Sequence, residues 1–377
     1  MKQPKYSLAT GCVVVLIGGM LSSSRTLAQT VTINPETTTY DFHLSSSVTP
    51  DRTTWLAWHG YENGRDKIWS RRVEASGELG RPRAVSEGGA VHGPPTIVTK
   101  SSRAASVIWT TKQADGWRVL LREFRDDQWR PAVTLSDPDR DAIYPTIVES
   151  GDGTQLATWS EHIDGRWRIR GRRIIDGVAA GVIDLSTGDA DAFRPVLVAH
   201  GRSVWAFWDQ YSKLNYSVHG RTVFPTLSPV ERVSPPDEYC LTPTAVSSPV
   251  GLHVAWLRKV DVVGGPRVIS QWHTLHAAVR SNDGWQQIQT ASGSTTAAEL
   301  TQGLMAQIEP KPVATGGYLG PRTRPMLLAD DDRVWLLWER KSNHRGSTPS
   351  VSGDLVGRPG VNGRWQEPVV LQQKRVD

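Results

Sequence analysis

The sequence predicts an all-β fold, a six-bladed β-propeller of four-stranded antiparallel blades, because three markers recur along it with one period. The first is a tryptophan that follows an apolar run, at intervals of 51, 50, 49, 48 and 82 residues: Trp58, Trp109, Trp159, Trp208, Trp256 and Trp338. A proline lies 13 or 14 residues before the last five of these: Pro95, Pro145, Pro195, Pro243 and Pro325. The third marker closes each unit: Val85-Ser86, Leu135-Ser136, Leu185-Ser186, Val233-Ser234 and Ala291-Ser292. A repeat of this length is typical of propeller blades.

One unit, from Tyr144 to Ser186, shows the elements of a blade. A short apolar run after Pro145 is followed by a turn at Asp152-Gly153 and by a second run that ends at Trp159. The polar segment 160–166 leads to a third run, 167–174, and a turn at 176–177 leads to a fourth, 182–186. Short apolar runs separated by Gly and Asp turns predict antiparallel strands.

The same pattern divides the chain into six blades, with approximate bounds of 40–86, 87–136, 137–186, 187–234, 235–292 and 293–374. The last blade includes an insertion, 293–323, which is too short for another blade. Tight turns rich in Asp, Asn and Gly precede Trp129, Trp285 and Trp365. Such turns need positive φ, and we expect the tryptophan that follows each of them to pack between blades.

The first 28 residues predict a signal peptide. Lys2 and Lys5 precede an apolar run, 12–21, and small residues lead to cleavage after Ala28. The apolar run is too short to span a bilayer, so we expect a secreted or periplasmic protein with no membrane insertion after cleavage. The mature chain, 29–377, is predicted to be a single propeller domain and a monomer.

Charge and cysteine content narrow the function further. Removal of residues 1–28 takes away three cations and lowers the formal charge from +5 to +2, which argues against a nucleic-acid partner. Cys240 is then the only cysteine, so no internal disulfide is possible. The sequence contains no phosphate-binding loop and no Cys/His finger. We expect no cofactor, and no metal at His273 and His276, because spacing of three on a strand places them on opposite faces.

The sequence allows two ways in which the ring of blades could be closed. Residues 30–33 could pair into the last blade, or the segment 365–371 could supply its outer strand.

Candidate ligand-binding residues come from two kinds of segment, which are expected to share one loop-rich face. The segments after the repeat tryptophans supply His59, Glu161, His162, Asp209, Tyr211, Arg258 and Glu339; the connections between blades supply Tyr144, Arg194, Tyr239 and Arg324. Arginines that precede the repeat prolines could clamp a carboxylate or a sulfate. Alternatively, they could pair with acids of the loops and tie blades together. Asp209, Glu161 and Glu339 are expected at similar places in their blades.

The Pro145-Thr146-Ile147-Val148 run, the Asp152-Gly153 turn and Trp159 followed by Trp167-Arg168-Ile169-Arg170 resemble secreted bacterial propellers of the sialidase-like (BNR-type) superfamily. Some polysaccharide lyases that act on acidic polymers are similar propellers, with His, Tyr and Arg around the axis. This resemblance implies that Tyr144, His162, Arg194 and Tyr239 could supply those residue types.

Three functions are consistent with these observations. The first is an exported propeller that binds a glycan, a polysaccharide or another extracellular ligand on its loop-rich face. The second is a polysaccharide-degrading lyase or glycoside hydrolase with its site at the central funnel. The third is a protein-interaction scaffold of the cell envelope.

Overall fold

The structure is a computed structural model that describes residues 40–62, 64–88, 90–264, 267–281, 284–288, 325–330, 333–342, 352–361 and 364–372. Several predictions concern residues outside these ranges and stay predictions: the signal peptide 1–28, the pairing of 30–33, the Ala291-Ser292 marker, the insertion 293–323 and the role of Arg324.

The described residues form 27 β-strands in six sheets. The first three sheets are β1 (Tyr40–Val48), β2 (Thr54–Glu62), β3 (Arg65–Val73) and β4 (Arg83–Ala84); β5 (Thr96–Ser101), β6 (Ala104–Gln113), β7 (Gly116–Arg125), β8 (Gln128–Trp129) and β9 (Val133–Thr134); and β10 (Ala142–Glu149), β11 (Gln155–Ile163), β12 (Arg166–Ile175), β13 (Val178–Ala179) and β14 (Ile183–Asp184). The other three are β15 (Asp191–His200), β16 (Ser203–Ser212), β17 (Asn215–Phe224) and β18 (Glu231–Arg232); β19 (Tyr239–Ser248), β20 (Gly251–Gly264), β21 (Arg267–Ser281) and β22 (Gly284–Ile288); and β23 (Met326–Asp330), β24 (Arg333–Ser342), β25 (Ser352–Val361), β26 (Arg364–Trp365) and β27 (Val369–Gln372).

Strands of each sheet pair in chain order with antiparallel neighbours, which confirms the predicted six-bladed propeller of four-stranded antiparallel blades. The sheets are called blades 1 to 6 in chain order. In blades 2, 3 and 6 the outermost strand is split into two short pieces that both pair with the third strand. None of the described residues forms a helix that is long and apolar enough to cross a membrane.

The chain contains two compact units, of which the first comprises 1–149, 153–162 and 172–181, and the second 150–152, 163–171 and 182–377. In the first unit, apolar clusters join blade 1 to blade 2 around Trp55 and Phe124, and blade 2 to blade 3 around Leu121 and Trp159. In the second unit, equivalent clusters join blades 4 and 5, and blades 5 and 6. Within each unit, neighbouring sheets therefore bury apolar side chains against one another.

The repeat tryptophans lie inside the second strand of each blade and are at most 3% exposed. The prediction that the second strand ends at the repeat tryptophan was wrong. β11, for example, continues four residues beyond Trp159 to a turn at Asp164 and Gly165, where both residues have positive φ. Pairing extends through buried polar residues because their side chains have hydrogen-bond partners, as Glu161 has in the indole of Trp159. Most candidate residues assigned to loops therefore lie on strands.

In blades 2 to 4, the residue two positions after the repeat tryptophan lies on the same face of the strand and accepts a hydrogen bond from the indole. The indole Nε1 of Trp109, Trp159 and Trp208 donates to Thr111 Oγ1 at 2.9 Å, to Glu161 Oε1 at 3.1 Å and to Gln210 Oε1 at 3.4 Å. A buried indole N–H needs such an acceptor.

The serine of the closing marker explains why that marker recurs. In blades 1 to 4 its Oγ accepts a hydrogen bond from a backbone N–H of the third strand, at distances of 2.8, 3.0, 2.9 and 3.0 Å: Ser86 from Ile68, Ser136 from Val119, Ser186 from Ile169 and Ser234 from Val218. All four serines are buried. The apolar residue before each serine also donates its backbone N–H to the third strand, as Leu185 does to Ile169 O at 2.8 Å. The marker thus fastens the outer edge of the blade.

The repeat has a fourth marker, which the sequence pattern alone did not reveal. The third strand carries an arginine at one repeat position in five blades: Arg71, Arg122, Arg172, Arg221 and Arg358. Its guanidinium group donates to backbone carbonyls of the outer edge or of the preceding blade, for example from Arg122 to Arg130 O at 2.6 Å and to Val85 O at 2.6 Å. Arginine recurs here because one side chain satisfies two carbonyl groups.

We expect Ser186→Ala to lower the free energy of unfolding by about 1–3 kcal/mol, because it leaves the buried N–H of Ile169 without an acceptor. Urea denaturation followed by tryptophan fluorescence measures the change. Ser212→Ala, at an exposed position of β16, is the matched control and should leave the urea midpoint unchanged. Equal midpoints for Ser186→Ala and the wild type would show that the serine does not fasten the blade.

Candidate binding site

Three tyrosines lie together where blades 4 and 5 meet. Tyr211 is the next-to-last residue of β16, Tyr216 is the second residue of β17 and Tyr239 is the first of β19. The ring centroids of Tyr211 and Tyr216 are 4.8 Å apart, and those of Tyr216 and Tyr239 are 5.3 Å apart. Arg194 and Lys259 complete the group, which we call the tyrosine cluster. All five side chains are half-buried, so their remaining surface is open to a ligand.

Both cations of the cluster lie over aromatic rings. The guanidinium carbon of Arg194 is 5.5 Å from the centroid of Tyr216, and the ammonium nitrogen of Lys259 is 4.8 Å from that of Tyr239. These are favourable cation–π distances. Lys259 and Tyr239 are direct cross-strand neighbours, as are Tyr211 and Tyr216, so strand pairing itself sets these contacts.

A β-bulge positions Arg194. The pairing of β15 with β16 shifts between Phe193 and Val196, and Arg194 at the bulge has a φ of 51°. The bulge recurs in blades 3 and 5, where Tyr144 and Thr242 both have a φ of 56°. Positive φ is uncommon for residues other than glycine and is found at functional sites. Each of these residues precedes a repeat proline, and the bulge re-aims its side chain relative to the alternation of the strand.

Asp209 holds Arg194 in place. Its Oδ2 accepts hydrogen bonds from Arg194 Nε and from the backbone N–H of Thr242, both at 2.7 Å. Because Thr242 belongs to blade 5, this buried carboxylate joins the bulges of two neighbouring blades. Burial raises the pKa of Asp209 from 3.8 to about 6, although the Arg194 charge acts in the opposite direction. The expectation that Arg194 pairs with an acid and ties blades together is confirmed, and the acid is Asp209.

Tyr216 and Tyr239 keep their protons at neutral pH. Burial raises the pKa of both, and the charge of Arg194 partly offsets the effect. The site therefore presents phenolic hydroxyls, flat ring faces and two cationic side chains. This combination can take a ring-shaped ligand that carries hydroxyl and anionic groups.

Four candidate residues thus come together: Arg194, Asp209, Tyr211 and Tyr239. Arg258 lies beside them on β20, with its Nη2 3.3 Å from Glu238. Tyr216 and Lys259 belong to the site and were not among the candidates. The sequence does mark Tyr216, because the same repeat position is also aromatic in blade 2, where it holds Trp117, and in blade 3, where it holds Trp167.

Glu161 and His162 point to opposite sides of β11, as adjacent strand residues should. Glu161 is 1% exposed and accepts hydrogen bonds from Trp159 Nε1 and, at 3.0 Å, from the backbone N–H of Asp137, whereas His162 is exposed. The expected equivalence of Glu161 with Asp209 was wrong. Asp209 follows its repeat tryptophan directly, so its counterpart in blade 3 is Ser160. Glu161 corresponds to Gln210.

His59 and Tyr144 belong to the first compact unit. His59 is buried, with its Nε2 3.3 Å from Asp66 Oδ2, and burial lowers its pKa despite that carboxylate. Tyr144 is partly exposed at the bulge of β10. Arg324 lies outside the described residues, and Glu339 lies on β24 with a side chain that the structure does not describe. Among the described residues, no three His, Cys, Asp or Glu side chains are grouped to hold a metal ion.

No protein-family model and no curated protein matches this sequence. Solved structures match its fold. An ulvan lyase of polysaccharide lyase family PL25 has a TM-score of 0.57 and 10% identity over 88% of this chain and 83% of its own. A Hadza microbial sialidase, Hz136, has a TM-score of 0.51 and 10% identity over 79% of this chain and 63% of its own, so the chain spans less than two thirds of that sialidase. A Dyadobacter fermentans protein of unknown function has a TM-score of 0.50 and 10% identity over 85% of this chain and 94% of its own.

The chain therefore shares its β-propeller fold with a sialidase and a polysaccharide lyase, in agreement with the sequence resemblance. At 10% identity these likenesses show the fold alone.

The raised pKa of Asp209 makes the stability of the protein pH-dependent. Between pH 3.8 and about 6 the native state keeps a proton that the unfolded chain releases. The free energy of unfolding therefore falls as the pH rises through this window, by at most about 3 kcal/mol. The Asp209→Asn variant lacks this titrating carboxyl group. We therefore expect the free energy of unfolding of the wild type, minus that of the variant, to be lower at pH 7 than at pH 4, as measured by urea titration. The control Asp189→Asn, which changes an exposed aspartate, should keep the pH dependence of the wild-type free energy of unfolding. If wild type and Asp209→Asn differed in stability by the same amount at both pH values, the raised pKa of Asp209 would be contradicted.

Proposed function

We propose that this protein is an exported carbohydrate-binding propeller that takes an acidic saccharide at the tyrosine cluster. The observation that carries the proposal is Arg194, which is fixed by the buried Asp209 at 2.7 Å and lies over Tyr216. Residues 1–28, with the features of a signal peptide, support export.

Each part of the cluster suits one part of such a ligand. Ring faces of tyrosine present flat apolar area at low entropic cost, which fits the C–H face of a sugar ring. The phenolic hydroxyls can bond to sugar hydroxyls. Arg194 and Lys259 supply donors for a carboxylate or a sulfate, and a planar guanidinium can engage two oxygens at once. An arginine that is already held in position loses little further entropy on binding.

Similarity in fold agrees with a saccharide ligand. The ulvan lyase of similar fold was solved bound to -[GlcA(1-4)Rha3S]-, and another protein of similar fold is a sialidase. The acidic character of our proposed ligand rests on Arg194 and Lys259 and not on these neighbours.

A second function, cleavage of the same polysaccharide, is favoured by one observation. Tyr216 and Tyr239 have raised pKa values, while the Asp209 pKa of about 6 lies close to neutrality in the same cluster. Groups with pKa values moved in this way can divide acid and base roles. A tyrosine that keeps its proton could then donate it to a leaving oxygen.

Binding is tested by incubating the purified protein with acidic polymers, such as alginate and heparin, and with neutral dextran, followed by size exclusion. We expect co-migration with at least one acidic polymer and none with dextran. Arg194→Gln should weaken that binding about 10- to 100-fold, because hydrogen bonds to a charged group contribute about 1.5–3 kcal/mol. Circular dichroism checks that the variant is folded.

Tyr211→Ala should also weaken binding, and Tyr61→Ala is its matched control. Tyr61 holds the same repeat position in blade 1 and is 40% exposed. Failure of every acidic polymer to co-migrate would reject the proposal, as would Arg194→Gln with wild-type affinity.

The elution volume of the polymer separates binding from catalysis. A lectin leaves polymer length unchanged, whereas an enzyme shortens it. If the polymer shortens, Tyr216→Phe, which keeps the ring and removes the proton, should retain binding and lose at least 10²-fold in rate. Full activity of Tyr216→Phe would remove Tyr216 from the reaction.

A further inference from the structure

A cavity of about 320 Å³ lies between blades 4 and 5 at the strand ends opposite to the tyrosine cluster. His200, the last residue of β15, and Ser281, the last residue of β21, line it together with Trp205, Val250, Gly251 and Arg280. Arg194 and His200 are six residues apart on β15, so about 20 Å separate this cavity from the cluster. We call it the blade 4–5 cavity.

Arg280 is fixed within this cavity from two sides. Its Nε and Nη2 contact the two carboxylate oxygens of Glu231 at 3.4 and 3.2 Å, and its guanidinium carbon lies 4.8 Å from the ring centroid of Trp205. Glu231 in turn accepts a hydrogen bond from Trp285 Nε1 at 2.8 Å. The indole rings of Trp205 and Trp285 pack edge to face at 6.1 Å. Two aromatic side chains and a carboxylate thus hold one edge of the guanidinium.

The other edge of Arg280 can serve a ligand. Bonding through Nε and Nη2 leaves Nη1, for which the described part of the chain shows no partner, and the side chain is 33% exposed. A guanidinium held in this way presents its remaining N–H groups in a fixed direction.

A histidine and a second arginine lie nearby. His200 Nδ1 contacts Ser247 Oγ at 2.8 Å, which orients the imidazole and leaves Nε2 as its second polar atom. Arg202 lies, exposed, in the two-residue turn between His200 and Ser203. Among the residues that the structure describes, Glu231 is the one carboxylate in contact with Arg280, and a second arginine and a histidine lie nearby, so the local charge favours an anion.

The shape of the cavity limits the ligand to a small one. Its volume lies at the lower end of the range for small-molecule sites, which suits one sugar ring with its substituent. Val250, 53% exposed, adds an apolar edge. Gly251 has a φ of 142°, and a Cβ atom there would lie 2.7 Å from Arg280 O. The turn between β19 and β20 can therefore approach Arg280 only because this residue has no side chain.

We infer that the blade 4–5 cavity is a second ligand site, which binds the carboxylate or sulfate group of an acidic monosaccharide unit through Arg280 and His200. It is separate from the tyrosine cluster and does not require that cluster to function. A polymer that occupies both would be held at two points on the same pair of blades, which raises its avidity.

Amide and indole NMR of the full chain tests the inference, with glucuronate and glucose 6-sulfate as probes and glucose as the neutral control. We expect either anionic probe to shift the Trp285 indole and Gly251 amide signals in a saturable way, and glucose to leave them in place. The probe that binds more tightly identifies the anionic group. Arg280→Gln should weaken this binding at least tenfold, and Arg194→Gln should leave it unchanged.

A second variant covers the possibility that Arg280→Gln disturbs folding. Val250→Trp fills the cavity from an exposed position and keeps Arg280, Glu231 and Trp285, so it should abolish the same NMR shifts. Arg202→Ala, at the exposed turn, should weaken them only slightly. Equal shifts with glucose, no shifts with either anion, or unchanged binding in Val250→Trp would overturn the inference. Loss of binding in Arg194→Gln would instead assign the signals to the tyrosine cluster.

Discussion

The structure depends on one buried hydrogen bond that repeats from blade to blade. In blades 1 to 4 the closing serine accepts a backbone N–H of the third strand, and the apolar residue before it is buried at the same point. This contact fastens the short outer strand, which in blades 2, 3 and 6 consists of two separate pieces. Without it, a buried N–H would lose its partner and the outer edge would have few other backbone bonds. Since the contact fixes the outer edge of these four blades, residues at one repeat position adopt the same place in each of them, and the strand ends are free to vary.

Variation at those ends creates the candidate sites. The position after the repeat tryptophan holds His59, Thr110, Ser160 and Leu257 in blades 1, 2, 3 and 5, and a carboxylate in blades 4 and 6, Asp209 and Glu339. Asp209 holds Arg194 and the backbone of Thr242 across two blades. Its burial disfavours the charged form, as its raised pKa shows, so Asp209 is not explained by stability alone. A destabilising group that positions an exposed arginine is typical of a functional site.

Both sites on blades 4 and 5 use the same physical arrangement. In the tyrosine cluster Asp209 binds Arg194 beside Tyr216; in the blade 4–5 cavity Glu231 binds Arg280 beside Trp205. A carboxylate and an aromatic ring together fix the guanidinium, so its orientation is set before a ligand arrives. The two arginines lie on opposite ends of long antiparallel strands, so the rigidity of the sheets sets the distance between them.

The fold could be predicted from the sequence, because the spacing of Trp, Pro and Ser reports contacts that each blade makes within itself. It also identified Arg194, Asp209, Tyr211 and Tyr239 as candidates, since their distance from a repeat marker places them near strand ends. Only the tertiary structure decided which of them meet. A bulge at Arg194 breaks the alternation that sequence reasoning assumes, and a shift of one residue separates Asp209 from Glu161. The contacts of Asp209 with Thr242, of Tyr216 with Tyr239 and of Arg280 with Glu231 join residues from different blades. Such contacts depend on how neighbouring sheets pack, which the period of a repeat does not contain.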